Sequence, residues 1–295
     1  MKANIEHPFK RFQLGDLELT VVSDGHQIMR PAHPIFAPFT NPRIVKQLLI
    51  DNFRPTDFVD LSLHILLIRK DKKLIMIDSG LGHIDSTGGK LLRALAAAGF
   101  ESENITDIII THAHRDHIGG LTDRNGNLTF PNAQIYISRT EFDFWTADVH
   151  DFTKSPMKDE IPSITRMVDG IKHILNLVKH QLRFIEPEGI LFNCIRLIAA
   201  PGHTPGHVVV NVFSGEEQLM HIADIAHSDV LLFPHPEWGF SFDTDFDQAV
   251  ATRRSVFEEL AENKMLALAY HLPWPGLGRI KQKATGFEWV PDANY

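Results

Sequence analysis

The chain has 295 residues, 43% of them hydrophobic and 22% charged, and a formal net charge of −8. That length and composition support a substantial buried core, while the acidic balance and the lack of a long Lys/Arg cluster argue against a nucleic-acid partner. A lone Cys194 excludes an intramolecular disulfide framework, and no apolar run reaches the length of a membrane span.

In chain order, residues 17–22 and 63–68 read as early strands. Residues 73–77 follow a polar Lys-Asp-Lys turn, complete a hairpin and end at Asp78. Between the first two strands, Ile35, Phe36 and Phe39 sit in a Pro-broken segment that is not regular helix. Residues 90–98 form an Ala- and Leu-rich helix stopped by Gly99, which feeds a strand at 107–110; a further short strand covers 134–137. From about 139 to 180 the pattern turns helical, with Ile161, Ile164, Val168, Ile171, Ile174, Leu175 and Val178 recurring at spacings of three and four. Strands follow at 189–199, 208–213 and 218–223, then a helix at 246–260 and a strand from 265 that reaches His271. Strands and helices alternate without Pro/Gly-rich linkers, which reads as one α/β domain over 1–295. Within it, 1–60 form an N-terminal arm and first strands, and about 139–180 form a helical insertion.

Chemistry enters directly after the apolar run at 108–110, where the chain reads Thr111-His112-Ala113-His114-Arg115-Asp116-His117-Ile118-Gly119-Gly120. A strand that stops at a tight loop aims the alternate imidazoles of His112 and His114 at one ion, while Asp116 and His117 reach a second. All four suit a transition metal. The chain holds 17 His, so clustering by composition is the competing explanation, but the ordered spacing is a specific signal. Neighbouring residues alone cannot close two metal shells. Three downstream residues end apolar, strand-like runs, where ligands gather in layered α/β folds: His203 in Pro201-Gly202-His203-Thr204-Pro205-Gly206-His207, Asp224 in His221-Ile222-Ala223-Asp224, and His271 in Ala269-Tyr270-His271-Leu272-Pro273. Asp78 reads as a carboxylate that orients the metal-binding loops, and His207 as a support. His26, His33, His64, His83, His150, His173, His180, His221 and His235 lack comparable spacing and are assigned no metal.

Taken in order with Leu74-Ile75-Met76-Ile77-Asp78-Ser79-Gly80, these landmarks resemble the metallo-β-lactamase-fold hydrolases. The opening stretch from Leu14-Gly15-Asp16 to Ser23-Asp24-Gly25, the segment Phe130-Pro131-Asn132-Ala133, and the ending from His271-Leu272-Pro273 to Gly278-Arg279 are similar to the methyl parathion hydrolase branch, which also contains N-acyl homoserine lactonases. The resemblance implies a four-layer αββα sandwich with the metals at one edge. It also implies two Zn2+ per chain, other divalent transition metals being acceptable to the same ligands: His112, His114 and His203 on one ion, Asp116, His117 and His271 on the other, and Asp224 bridging. Lactamases of this fold that use a Cys ligand place it where this chain has Asp224, which disfavours β-lactam hydrolysis.

The activity implied is hydrolysis, with a metal-bound hydroxide attacking the ring carbonyl of an N-acyl homoserine lactone (quorum quenching) and Asp116 giving a proton to the leaving oxygen. His227 stands where another lactonase branch carries a substrate-contacting Tyr. It is read as orienting the substrate by a hydrogen bond to the oxyanion, a merely packed His being the competing use. Trp145, Phe142 and Phe36 are the candidates for lining an apolar substrate pocket, with core or dimer contacts as their other use. The alternatives within the fold are a phosphotriesterase or another carboxylic ester or lactone hydrolase, a non-heme iron redox enzyme, since the same ligands hold iron, and a non-catalytic metal-binding protein. The polar opening from Met1 to Pro8 lacks the pattern of a signal peptide, so a cytoplasmic location without membrane contact is expected. A homodimer formed through the arm or the insertion is expected from the resemblance alone.

Overall fold

Runs of consecutive apolar residues, rather than alternating ones, mark the central strands of this chain, and such runs require that both faces of a sheet be covered. The computed structural model, which describes residues 7–83 and 87–294, meets that requirement with two seven-stranded sheets. The first runs in sequence order: β1 (Phe9–Leu14), β2 (Leu17–Met29), β3 (Val59–Lys70), β4 (Lys73–Ile77), β5 (Asp107–Ile109), β6 (Gln134–Ser138) and β7 (Leu182–Ile185). Its pairs are antiparallel up to β4 and parallel from there to β7. The second sheet contains β8 (Ile190–Leu191), β9 (Ile195–Ala199), β10 (Val208–Ser214), β11 (Glu217–His221), β12 (Leu266–Leu268), β13 (Leu277–Gln282) and β14 (Phe287–Pro291). These strands also neighbour one another in sequence order, and only β11 and β12 pair in parallel.

The helices are a single broken turn α1 (Ala32–Ile35), then α2 (Pro42–Asp51), α3 (Leu91–Ala97), α4 (Arg115–Ile118), α5 (Arg139–Thr146), α6 (Ile161–Leu177) and α7 (Phe246–Glu262). Strand parity sorts the apolar residues into three layers of core. On β3, Ile65 and Leu67 pack with Leu95 of α3 and Ile171 and Leu175 of α6, whereas Leu66 and Ile68 turn inward to meet Leu197, Val210 and Leu219 of the other sheet. On β10, Val209 packs with Phe257 and Leu260 of α7 while Val208, Val210 and Val212 face the first sheet. Helices, sheet, sheet and helix therefore stack as the αββα sandwich. Each inward Leu or Ile contributes about 1.5–3 kcal/mol by leaving water.

The structure departs from the sequence reading at identifiable places. The strand expected over 189–199 is a tight hairpin: Ile190 pairs with Arg196 and Leu191 with Ile195, and the turn places Phe192 and Asn193 at φ of 55° and 56°. No Gly marks that turn, so an apolar run concealed it. The helical stretch 139–180 is two helices, α5 and α6, and α6 begins with Pro162 in its first turn, where the missing N–H costs nothing. β1, β7, β8 and β14 are the edge strands; β8 is only two residues long, and the charged residues of β1, β7 and β14, which discourage edge-to-edge pairing, blur the strand period. Helix α2 also escaped the reading, although Asn41 caps it by accepting from the Arg43 N–H at 2.9 Å. Among the described residues no helix is long and apolar enough to cross a membrane. Residues 1–6, on which the expected location partly stood, lie outside the described residues.

Candidate metal centre

The loops that follow β4, β5, β9, β11 and β12 meet at one edge of the sandwich, and carboxylates and carbonyls behind them fix which nitrogen each imidazole presents. Asp78 ends β4 at φ 62°, a left-handed conformation that Asp tolerates better than most residues. Its Oδ1 accepts from the Thr111 N–H at 2.8 Å, and its Oδ2 accepts from the Thr111 hydroxyl and from His117 Nδ1, both at 2.8 Å. The Thr111 hydroxyl, having donated to Asp78, accepts from His112 Nδ1 at 3.1 Å. Asp243 Oδ1 accepts from His203 Nδ1 at 2.8 Å, and the Ser62 carbonyl accepts from His271 Nδ1 at 3.0 Å. With Nδ1 donating in all four rings, Nε2 is the nitrogen whose lone pair each neutral ring turns into the site, the tautomer that a metal requires.

Those lone pairs converge on Asp224. His114 Nδ1 lies 2.9 Å from His203 Nε2 and 3.2 Å from His112 Nε2, and Asp224 Oδ2 lies 3.2 Å from His203 Nε2 and 3.5 Å from His112 Nε2. On the other side, Asp224 Oδ1 lies 3.0 Å from His117 Nε2 and 3.3 Å from His271 Nε2, while Asp116 Oδ2 lies 3.5 Å from His271 Nε2 and 3.7 Å from His117 Nε2. His117 Nε2 and Asp224 Oδ1 are buried without a hydrogen-bond partner despite their proximity. Acceptors packed against acceptors repel unless a proton or a cation lies between them, and imidazole with carboxylate is a transition-metal donor set. The residues fit two neighbouring divalent ions: His112, His114, His203 and Asp224 as one ligand group, and Asp116, His117 and His271 as another.

The electrostatics agree with that fit. Burial and the neighbouring His117 and His203 push His112 and His114 well below the usual histidine range, so both are neutral and ready to ligate. Burial raises Asp224, but the surrounding imidazoles, His117 foremost, outweigh it and hold the carboxyl well below the usual carboxylate range. Burial lowers His203, yet its bonds to Asp224 and Asp243 prevail and lift it to about 9. Protons and cations therefore compete for this imidazole.

The structure thus brings together all seven residues that the sequence nominates as ligands. His227 joins them: its Nε2 donates to Asp224 Oδ2 at 3.0 Å, its Nδ1 is buried without a partner, and its ring stacks on Phe240 at 4.0 Å. Burial takes His227 down to about 4. Of the nominated aromatics, two lie one layer behind these residues and the third packs away from them. Trp145 is fully buried, edge-on to His114 at 5.5 Å, and Phe36 is fully buried behind Phe240 at 5.0 Å. Phe142 is half-buried against Phe184 at 4.9 Å. Sequence reasoning missed Asp243, Glu141 and Tyr270, the last of which donates to the Asp116 carbonyl at 2.6 Å and stacks on His117 at 4.1 Å. Asp243 lies 40 residues from its partner, so no local spacing announces it.

Residues 60–268 match the metallo-beta-lactamase superfamily. The fold is similar to that of AidC, a dizinc quorum-quenching lactonase solved with the product N-hexanoyl-L-homoserine, with a TM-score of 0.93 and 44% identity over 97% of each chain. It is also similar to the hydrolase AbOPH of the beta lactamase superfamily, with a TM-score of 0.87 and 30% identity over 97% of this chain and 98% of that one. A probable metallo-hydrolase of Mycobacterium bovis is 26% identical over 55% of this chain and 56% of its own length. The chain spans about half the length of the curated relatives it matches.

Proposed function

This chain belongs to the metallo-beta-lactamase superfamily, and we propose that it is a dizinc hydrolase that opens the lactone ring of N-acyl homoserine lactones. The observation that carries this reading is the convergence of seven side chains, six of them buried and Asp116 partly exposed, whose ligand atoms face one another at 2.9–3.7 Å. The 44% identity with a dizinc lactonase over 97% of the chain directs the choice of substrate. A bound pair of divalent ions supplies a water of lowered pKa and positive charge beside the carbonyl oxygen.

The protein's own groups define the rest. Asp116 has 17% of its side chain exposed against 7% or less for the buried ligands, so substrate reaches the site on its side. We assign to it the proton that the leaving alkoxide takes up. His227, neutral and donating through Nε2 to Asp224, presents a lone pair at Nδ1. It accordingly orients the substrate by accepting a hydrogen bond, for which the N–H of an acyl amide is suited, rather than by donating to the oxyanion. Phe240 stacks on His227 and is backed by Phe36, and Trp145 packs edge-on against His114, so these buried rings support the site from behind. The test is to assay zinc-reconstituted protein against an N-acyl homoserine lactone, a simple carboxylic ester and an organophosphate triester. Lactone turnover should exceed the other two by at least about tenfold in kcat/KM; dominant triester turnover would give the site to phosphoryl chemistry instead.

A further inference from the structure

We propose that Glu141 is a positioning residue that clamps the two halves of the metal centre together and sets the grip on the ion faced by His112, His114 and His203. The inference deepens the two-ion reading above and stands on it. Glu141 lies in the first turn of α5 and is fully buried, and among the described residues no Lys or Arg pairs with it. Four donors surround its carboxylate. Oε1 accepts from the Ala113 N–H at 2.8 Å and the Trp145 indole N–H at 2.7 Å, and Oε2 accepts from the Thr204 hydroxyl at 2.7 Å and the Gly206 N–H at 2.9 Å. Ala113 sits between two of the imidazoles in question, and Thr204 follows the third.

These contacts join segments that the fold brings from different sheets. The 111–117 loop follows β5 of the first sheet, and the His203 turn follows β9 of the second; one carboxylate bonds both. Gly206 shows how closely α5 is seated, because a Cβ there would come within 2.2 Å of the Glu141 backbone nitrogen and 2.6 Å of its Cα. A buried carboxylate without a counter-ion is costly unless it is fully hydrogen-bonded, and here every donor belongs either to a ligand-bearing segment or to Trp145, which packs on His114. A carboxamide cannot replace it. Glu141→Gln turns an amide N–H towards one pair of donors, so either Ala113 or the His203 turn is released.

The test measures zinc binding by wild-type protein and by Glu141→Gln through competition with a chromophoric chelator, and resolves the two sites by cadmium-113 NMR of the two-cadmium forms. In folded Glu141→Gln, one zinc should weaken by about 10–100-fold while the other stays within about twofold, and the cadmium signal of the three-imidazole site should shift or broaden. Equal affinities for both ions in wild type and variant would overturn the proposal. So would a parallel weakening of both ions in proportion to a lowered melting temperature, which is the mark of a merely structural residue. Should Glu141→Gln fail to fold, Thr204→Val keeps the carboxylate and removes one donor on the His203 side; weakening of the same ion by about 3–10-fold is expected, and an unchanged affinity overturns the proposal. Wild-type protein that binds fewer than two zinc ions would instead defeat the two-ion reading, and the clamp with it.

Discussion

Between the sheets, Leu66, Ile77, Ile109, Val210 and Leu268 are buried and apolar; one to three residues beyond Ile77, Ile109 and Leu268, the side chains of Asp78, His112 and His271 are as deeply buried and polar. The first group leaves no polar atom unpaired. Around the second, His117 Nε2, His114 Nε2 and Asp224 Oδ1 are left without partners, an arrangement that costs folding energy unless something binds there. The lesson of the contrast is a division of labour within single strands: the core supplies stability and rigid strand ends, and the edge holds charge in a geometry that the core keeps from collapsing. If the division is real, substitutions at the edge should change metal affinity and turnover with little effect on folding, and substitutions in the core should do the reverse.

The sharpest test at the edge is Asp224→Asn, since Asp224 is shared by both ligand groups; kcat/KM should fall by about 10³-fold, with fewer zinc ions per chain by elemental analysis and a far-UV circular dichroism spectrum like that of wild type. In the core, Leu66→Ala should cost about 2–5 kcal/mol in urea unfolding of the apoprotein while zinc affinity of the folded variant stays within about twofold. Asp24 probes the boundary between the two regions. It is buried, accepts from the Leu81 and Leu91 amides at 2.8 and 2.7 Å, and is pushed by burial from 3.8 to about 6. Because the folded state holds this proton more tightly than the unfolded chain, ionisation penalises folding. The stability of wild type relative to Asp24→Asn should therefore fall as pH rises from about 4 to about 6 and level off above, by up to a few kcal/mol at about 1.4 per unit; urea unfolding of the pair across that range would show it, and a flat difference would remove Asp24 from the account.

Smaller effects follow. Asp78→Asn, which disturbs the partner of His117 Nδ1, should weaken zinc by about 10–100-fold without unfolding the protein. Arg254→Ala, which removes an exposed pair with Glu237 at 3.0 Å, should change stability by less than about 1 kcal/mol and metal binding not at all.

How much of this could be read from the chain follows the same contrast. The ligand string at 112–117 is local, so its spacing alone discloses two sub-sites; His203, Asp224 and His271 are each announced by an apolar run that stops. The central strands show themselves by unbroken apolar character. What escaped is whatever depends on the two sheets meeting. Glu141 and Asp243 are ordinary acids in sequence, and their roles exist only because α5 and the segment before α7 are carried against loops dozens of residues away. Trp145 and Phe36 read in the sequence as pocket walls; both are fully buried behind His114 and Phe240, and that depth is set by packing that no periodicity encodes. The hairpin at 192–193 escaped because its left-handed turn uses Phe and Asn in place of Gly.

The most direct test of the whole account is to strip the protein with a chelator, count the metals, and follow lactone hydrolysis as zinc is returned. The account predicts two zinc ions per chain in the active protein, loss of turnover on stripping, and recovery in step with occupancy of the second ion. Full turnover by metal-free protein, or recovery complete at one ion per chain, would contradict it.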